Sequence, residues 1–154
     1  MYLRPPPKIK VLEALSTIAD ERIRLLNDNY AEVTSSDGSR KYIVYVDLEH
    51  NEVCSTDNGT MLRGYIGYPI IAMLMLKGKL PVNKVIATAL KGINWRELNE
   101  KYKKYSIVEE HIKKIVSRRG VNPQLVDMFK ERVYVLVKRL KFKLNPEKCR
   151  EWLR

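Results

Sequence analysis

Apolar and polar positions alternate with two different periods along this chain. Ile9, Leu12, Leu15, Ile18, Ile23, Leu25 and Leu26 recur at roughly helical spacing with charges between them, which predicts an amphipathic helix over 8–27. Pro5-Pro6-Pro7 is a stiff lead-in to it, and Asn27-Asp28-Asn29 breaks it. The period then drops to two. Residues 30–34 alternate, 41–48 are rich in Val, Ile and Tyr, and 52–56 read as a third strand. Ser35-Ser36-Asp37-Gly38-Ser39 and Glu49-His50-Asn51 are the turns between them, the first because Asp-Gly supplies the positive φ that a hairpin needs. Asp57-Asn58-Gly59-Thr60 closes a small antiparallel meander.

From residue 68 the pattern returns to helices. Residues 68–76 read as a buried helix with Pro69 in its first turn, ended by Lys77-Gly78-Lys79-Leu80-Pro81. A short helix over 81–91 stops at Gly92. Asn94 with Glu97, Ser106 with Glu109 (a capping box), Asn122-Pro123 and Asn145-Pro146 mark four further starts. They predict helices near 95–104, 107–119, 123–141 and 146–153. Val133-Tyr134-Val135-Leu136-Val137 is β-prone alone, but Leu125, Phe129, Val133, Leu136 and Leu140 keep the helical period. The fold class expected is α+β: an N-terminal helix with a small antiparallel three-stranded meander, then a mostly helical, basic C-terminal part. The division falls at 1–78 and 79–154, and the two parts can also pack as one domain. No internal repeat or low-complexity tract interrupts this.

Charge changes the picture most. Residues 1–65 hold 8 Lys/Arg against 10 Asp/Glu, and residues 66–154 hold 21 against 8, so the whole surplus of the +11 chain lies in the second half. Such asymmetry points to an anionic partner, nucleic acid being the commonest. Lys101, Lys103, Lys104, Lys113, Lys114, Arg118 and Arg119 are dense along two helices, and Lys138 and Arg139 continue the run. Clustered cations neutralise phosphates and release counterions with little sequence preference. Trp95 and Tyr102 are interleaved with them as candidate base-stacking rings. A helix-turn-helix around Gly120-Val121-Asn122 is disfavoured against a plain αα-hairpin, because Asp127 and Glu131 would face the DNA.

Composition excludes other classes. The longest apolar run, 65–76, contains Gly67 and Pro69 and falls short of the roughly 20 residues of a membrane span. The first residues carry no apolar signal core, so the cytoplasm is the expected location. Cys54 and Cys149 form no CxxC, and a disulfide is not expected in a reducing compartment. A single glutamine, Gln124, amid abundant Lys, Arg and Glu is thermophile-like usage.

The segment Tyr42-Ile43-Val44-Tyr45-Val46, then Glu52-Val53-Cys54-Ser55-Thr56, then Gly67-Tyr68-Pro69-Ile70-Ile71-Ala72-Met73-Leu74, resembles a SWIM-type zinc domain that has lost its ligands. The preceding Glu21-Arg22-Ile23-Arg24-Leu25-Leu26 sits where those domains carry a helix, so the resemblance spans about residues 20–76. It implies a ββα core with Cys-x-Cys after the strands and Cys-x-His opening the helix. Cys54 matches the first ligand, while Thr56, Gly67 and Pro69 replace the other ligands, and one ligand cannot hold a tetrahedral zinc. What the resemblance carries over is the shape, with Ile70, Ile71 and Leu74 packing on Tyr42, Val44 and Val46 in place of metal.

Catalytic chemistry is poorly represented. His50 and His111 stand in polar surroundings, Asp47 and Glu49 read as a solvated strand edge rather than a metal pair, and Cys54 has no basic neighbour to activate it. Gly64, Gly67 and Gly78 fit neither a Walker loop nor a dinucleotide fingerprint. The expectation is therefore a non-catalytic nucleic-acid-binding protein with no metal or other cofactor and no membrane partner. The alternative is a protein-interaction subunit of a DNA-repair or RNA-processing assembly. DNA or RNA, single or double strand, and oligomeric state (a dimer included) are left open.

Overall fold

The computed structural model describes residues 1–153. Helix α1 (Lys10–Ala19) is followed by strands β1 (Ile23–Leu25), β2 (Tyr30–Thr34), β3 (Lys41–Asp47) and β4 (Glu52–Ser55). Helices α2 (Asn58–Met61), α3 (Tyr68–Leu76), α4 (Lys84–Ala89), α5 (Trp95–Tyr102), α6 (Tyr105–Arg118) and α7 (Pro123–Lys138) come next. A short strand β5 (Lys143–Leu144) and helix α8 (Pro146–Leu153) end the described chain. The class is α+β. The five strands lie in the order β1-β2-β3-β4-β5, where the sequence pattern predicts three. The first four are antiparallel neighbours, and β5 joins β4 in parallel.

The helix expected over 8–27 stops at Ala19, and Ile23–Leu25 within that span form strand β1. The stop is a Schellman motif: Glu21 N–H donates to Ile18 O and Arg22 N–H to Thr17 O, at 3.1 and 3.0 Å. Glu21 takes the left-handed conformation, φ 54°, that this motif requires of its C′ residue. With no glycine or asparagine at that point, nothing in the residue types announces the end. The Ser106–Glu109 capping box does not form either. Helix α6 starts at Tyr105, with Lys104 at the N-cap and no side-chain cap bond. Asn83, Asn94 and Asn122 do cap α4, α5 and α7, each side-chain oxygen accepting from a backbone N–H of the first turn.

Strand register sorts the sheet into two faces. Ala31 pairs with Val44 and Val46 with Val53, all buried on the face toward α1 and α3. Tyr30 pairs with Tyr45 and Tyr45 with Cys54, and these look the other way, toward α8. Helix α3 is buried from Pro69 to Met75 and packs on α1 and β3. One apolar cluster runs from Leu3 through both halves of the chain to Phe142.

On the far face Cys54 and Cys149 are joined by a disulfide with Cα atoms 5.9 Å apart, contrary to the expectation from sequence. Spacing in the chain says little about it, because 95 residues separate the two. The fold closes the gap: Tyr30 O–H donates to Lys148 O at 2.8 Å, and its ring meets Trp152 with centroids 4.8 Å apart, seating α8 over β3 and β4.

Candidate functional site

Helix α6 packs against α5 and α7, and these three helices with their caps carry the basic residues singled out above. Their side chains divide into committed and free. Lys113 Nζ lies 3.1 Å from Asp127, and that hydrogen bond holds the lysine above its ordinary pKa. Lys130 is buried between Glu109 and Asp127. Arg119 donates to the carbonyls of Ala89 (2.9 Å) and Lys91 (2.7 Å), closing the C-terminal end of α4. Lys113 and Arg119 are thus occupied in structure before any ligand arrives. Lys101, Lys103, Lys104, Lys114, Arg118, Lys138 and Arg139 are exposed and have no carboxylate within ion-pair distance among the described residues. Lys101 and Lys138 lie over the rings of Tyr102 and Tyr134, at 5.3 and 5.9 Å.

The aromatic part of the expectation needs correcting. Trp95 is 3% exposed, a core residue rather than a stacking platform. The signal was present: Trp95, Leu98 and Tyr102 recur at helical spacing among the charges of α5, which marks its buried face. Tyr102 is half-buried with His111 stacked on it, ring centroids 4.3 Å apart.

A cleft of about 250 Å³ lies between α1, α5, the start of α3 and the β2–β3 turn. Sequence reading missed it, because its residues are scattered from Lys10 to Glu100 and meet only in the fold. Glu13, buried on α1, takes Lys10 Nζ at 2.9 Å on one oxygen and Asn99 Nδ2 at 2.6 Å on the other. Burial opposes the charge on Lys10, but the Glu13 carboxylate outweighs it and holds the lysine above its usual range. Tyr42 and Tyr68 meet edge to face with centroids 6.5 Å apart, and burial pushes both phenols up. Arg22 is held by Asp20 and Thr34 O, and Arg96 by Asp37, Glu100 and Ser39. Arg40, at the same cleft, is exposed and has no carboxylate partner among the described residues.

Asp47, Glu49 and His50 gather in the β3–β4 turn with ligand-type atoms within 4.8 Å of one another. His50 Nδ1 sits 2.8 Å from Asp47, which raises the imidazole pKa and lowers the carboxyl's. At the positions picked out by the SWIM-type resemblance, Cys54 is disulfide-bonded and Thr56 Oγ1 accepts from Ile43 N–H at 3.0 Å. Gly67 N–H donates to Thr60 Oγ1 at 3.2 Å. A second groove, between α4 and α7, is apolar, with Val85, Leu125 and Met128 exposed along it. No helix among the described residues is long and apolar enough to cross a membrane.

The family model described as Uncharacterised conserved protein UCP014422 matches residues 3–143. The chain belongs to that family. The match takes in the cleft, the α5–α7 surface and the α4–α7 groove, and ends before α8. No curated protein and no solved structure matches.

Proposed function

We propose that this UCP014422 member binds nucleic acid without catalysis, holding phosphates with the exposed cations of α5, α6 and the C-terminal end of α7. The observation that carries the reading is the division of charge just described. The acids Glu109 and Asp127 are taken up by Lys113 and Lys130. Lys103, Lys104, Lys114 and Arg118 are left uncompensated, as are Lys101 on α5 and Lys138 and Arg139 at the end of α7. A surplus of this kind attracts a polyanion and releases its counterions, with affinity that falls steeply with salt. The degenerate SWIM-type resemblance over about residues 20–76 does not choose between this reading and a protein-interaction role, since such domains are associated with both DNA and protein contacts. The thermophile-like composition allows a cytoplasmic location alongside the disulfide, because intracellular proteins of hyperthermophiles carry disulfides.

The test is fluorescence anisotropy of labelled single-stranded DNA, duplex DNA and RNA across a salt series. The variant is Lys114→Glu with Arg118→Glu, two exposed positions one turn apart on α6. Binding is expected to weaken across all sequences, with the slope of log K against log salt shallower by about 1–2 units. Unchanged binding and slope would remove α6 from the interface.

A second reading, a protein-interaction subunit, is favoured by one specific observation. Leu125, Met128 and Val135 form an exposed apolar stripe on α7, and Met61, Leu62, Trp152 and Leu153 are exposed elsewhere.

A further inference from the structure

Two residues that line the cleft between α1, α5 and the β2–β3 turn carry buried polar atoms with no hydrogen-bond partner. They are the indole Nε1 of Trp95 and the amide Oδ1 of Asn99. The two residues are four apart on α5, so their side chains leave the helix on one face. The orientation of the amide is fixed by chemistry. Nδ2 donates to the Glu13 carboxylate at 2.6 Å, and a flipped amide would set oxygen against oxygen. These two lining residues thus each carry an unused polar group, one a donor and one an acceptor, and buried groups left in that state are costly unless something completes them.

Their complement is a group that accepts and donates at neighbouring atoms, the cis-amide or amidine edge of a heterocycle. The walls suit the rest of such a molecule. Tyr42 and Tyr68 supply aromatic surface, and a volume of about 250 Å³ suffices for a base with part of its sugar. The charge at this cleft selects an anion beyond the base. Arg22 and Arg96 are neutralised by carboxylates in place, and Arg40 alone among the three arginines here is exposed and unpaired among the described residues. A guanidinium in that position fits a phosphate oxygen pair.

We infer that this cleft is a nucleotide-binding site: Trp95 and Asn99 read the edge of the base, Tyr42 and Tyr68 flank it, and Arg40 takes the phosphate. The nucleotide has two possible sources, a free mononucleotide or the 5′-phosphorylated end of a strand. The inference uses none of the α6 cations and stands independently of the surface proposed above.

The experiment is isothermal titration calorimetry with AMP, GMP, CMP and UMP, their unphosphorylated nucleosides, and a 5′-phosphorylated dinucleotide. At least one phosphorylated probe is expected to bind with Kd below about 1 mM, and its nucleoside more weakly. Arg40→Ala, an exposed position, is expected to weaken that binding about tenfold, and Asn99→Leu to abolish it. The Lys114→Glu, Arg118→Glu protein should bind the mononucleotide as the unsubstituted chain does, which separates this site from the α6 surface. Preference for the mononucleotide or the dinucleotide identifies the source. Heat signals absent for every phosphorylated probe at about 5 mM, or binding indifferent to Arg40→Ala, would overturn the inference. Should Asn99→Leu fail to fold, Arg40→Ala decides alone.

Discussion

Glu21 stands where helices usually place glycine. Its left-handed φ of 54° crowds a Cβ against the backbone, and the Schellman bonds of α1 hold it there. Glu21→Gly is therefore expected to raise stability by about 0.5–1 kcal/mol, read by urea denaturation as a higher midpoint with unchanged slope. Gly67 is the opposite case. A Cβ built there runs into Asp57 Oδ2 and Thr60 Oγ1, and both are committed, because Asp57 caps α2 through Thr60 N–H at 3.1 Å. Gly67→Ala is expected to cost about 1–3 kcal/mol, as other overpacked sites do, with a lower thermal midpoint in calorimetry. Legibility differs sharply between these residues. Asn94 and Asn122 cap helices as their type foretells, whereas Glu21 carries no sign of its conformation. Trp95 looks like an exposed stacking ring in a run of charges until the apolar period of α5 is followed through Leu98 and Tyr102.

Elements built from local signals were readable, and those built from distant contacts were not. Helix α3 occupies 68–76 as the pattern predicts, because Gly67-Tyr68-Pro69 starts it and an unbroken apolar run fills it. Strand β5 consists of Lys143 and Leu144 alone and is set by its neighbours, β4 on one side and the bridge from Tyr2 on the other. Helix α2 hides in a tetrapeptide that reads as a turn. The β2–β3 turn, by contrast, is organised by its own aspartate. Asp37 accepts from Ser39 N–H at 3.0 Å, from Ser39 O–H and from Ser35 O–H, and these bonds pull its pKa down to about 2. A lowered carboxyl contributes stability that is complete above its ordinary value of 3.8 and is lost as pH falls through about 2. A carbon-detected NMR titration should find the Asp37 carboxyl still ionised at about pH 3, and Ser39→Ala should move its midpoint back toward the ordinary value.

At the scale of the whole molecule the sheet divides two clusters of unequal size. The larger holds α1 and α3 to one face, and the smaller holds α8 to the other through Tyr30, Tyr45 and the Cys54–Cys149 bond. Charge was legible at this scale because composition survives folding. The cleft was not, because Lys10, Tyr42, Tyr68 and Asn99 belong to different elements and acquire a common purpose only when α1, β3, α3 and α5 converge. Cys149→Ser is expected to cost about 2–5 kcal/mol, read as a lower urea midpoint that reducing agent no longer shifts. In the unsubstituted chain, reducing agent should lower the midpoint by a comparable amount.

The same bond gives the chain the outline of a closed ring with two tails. Lys77 and Lys79 flank Gly78 in the exposed link between α3 and α4, and that link lies inside the ring. Trypsin cutting there would release no fragment: Cys54 would stay on one piece and Cys149 on the other. The nicked protein should migrate as one band on a denaturing gel and fall into two only when thiol is added, so a single band without thiol is no guarantee of an intact backbone.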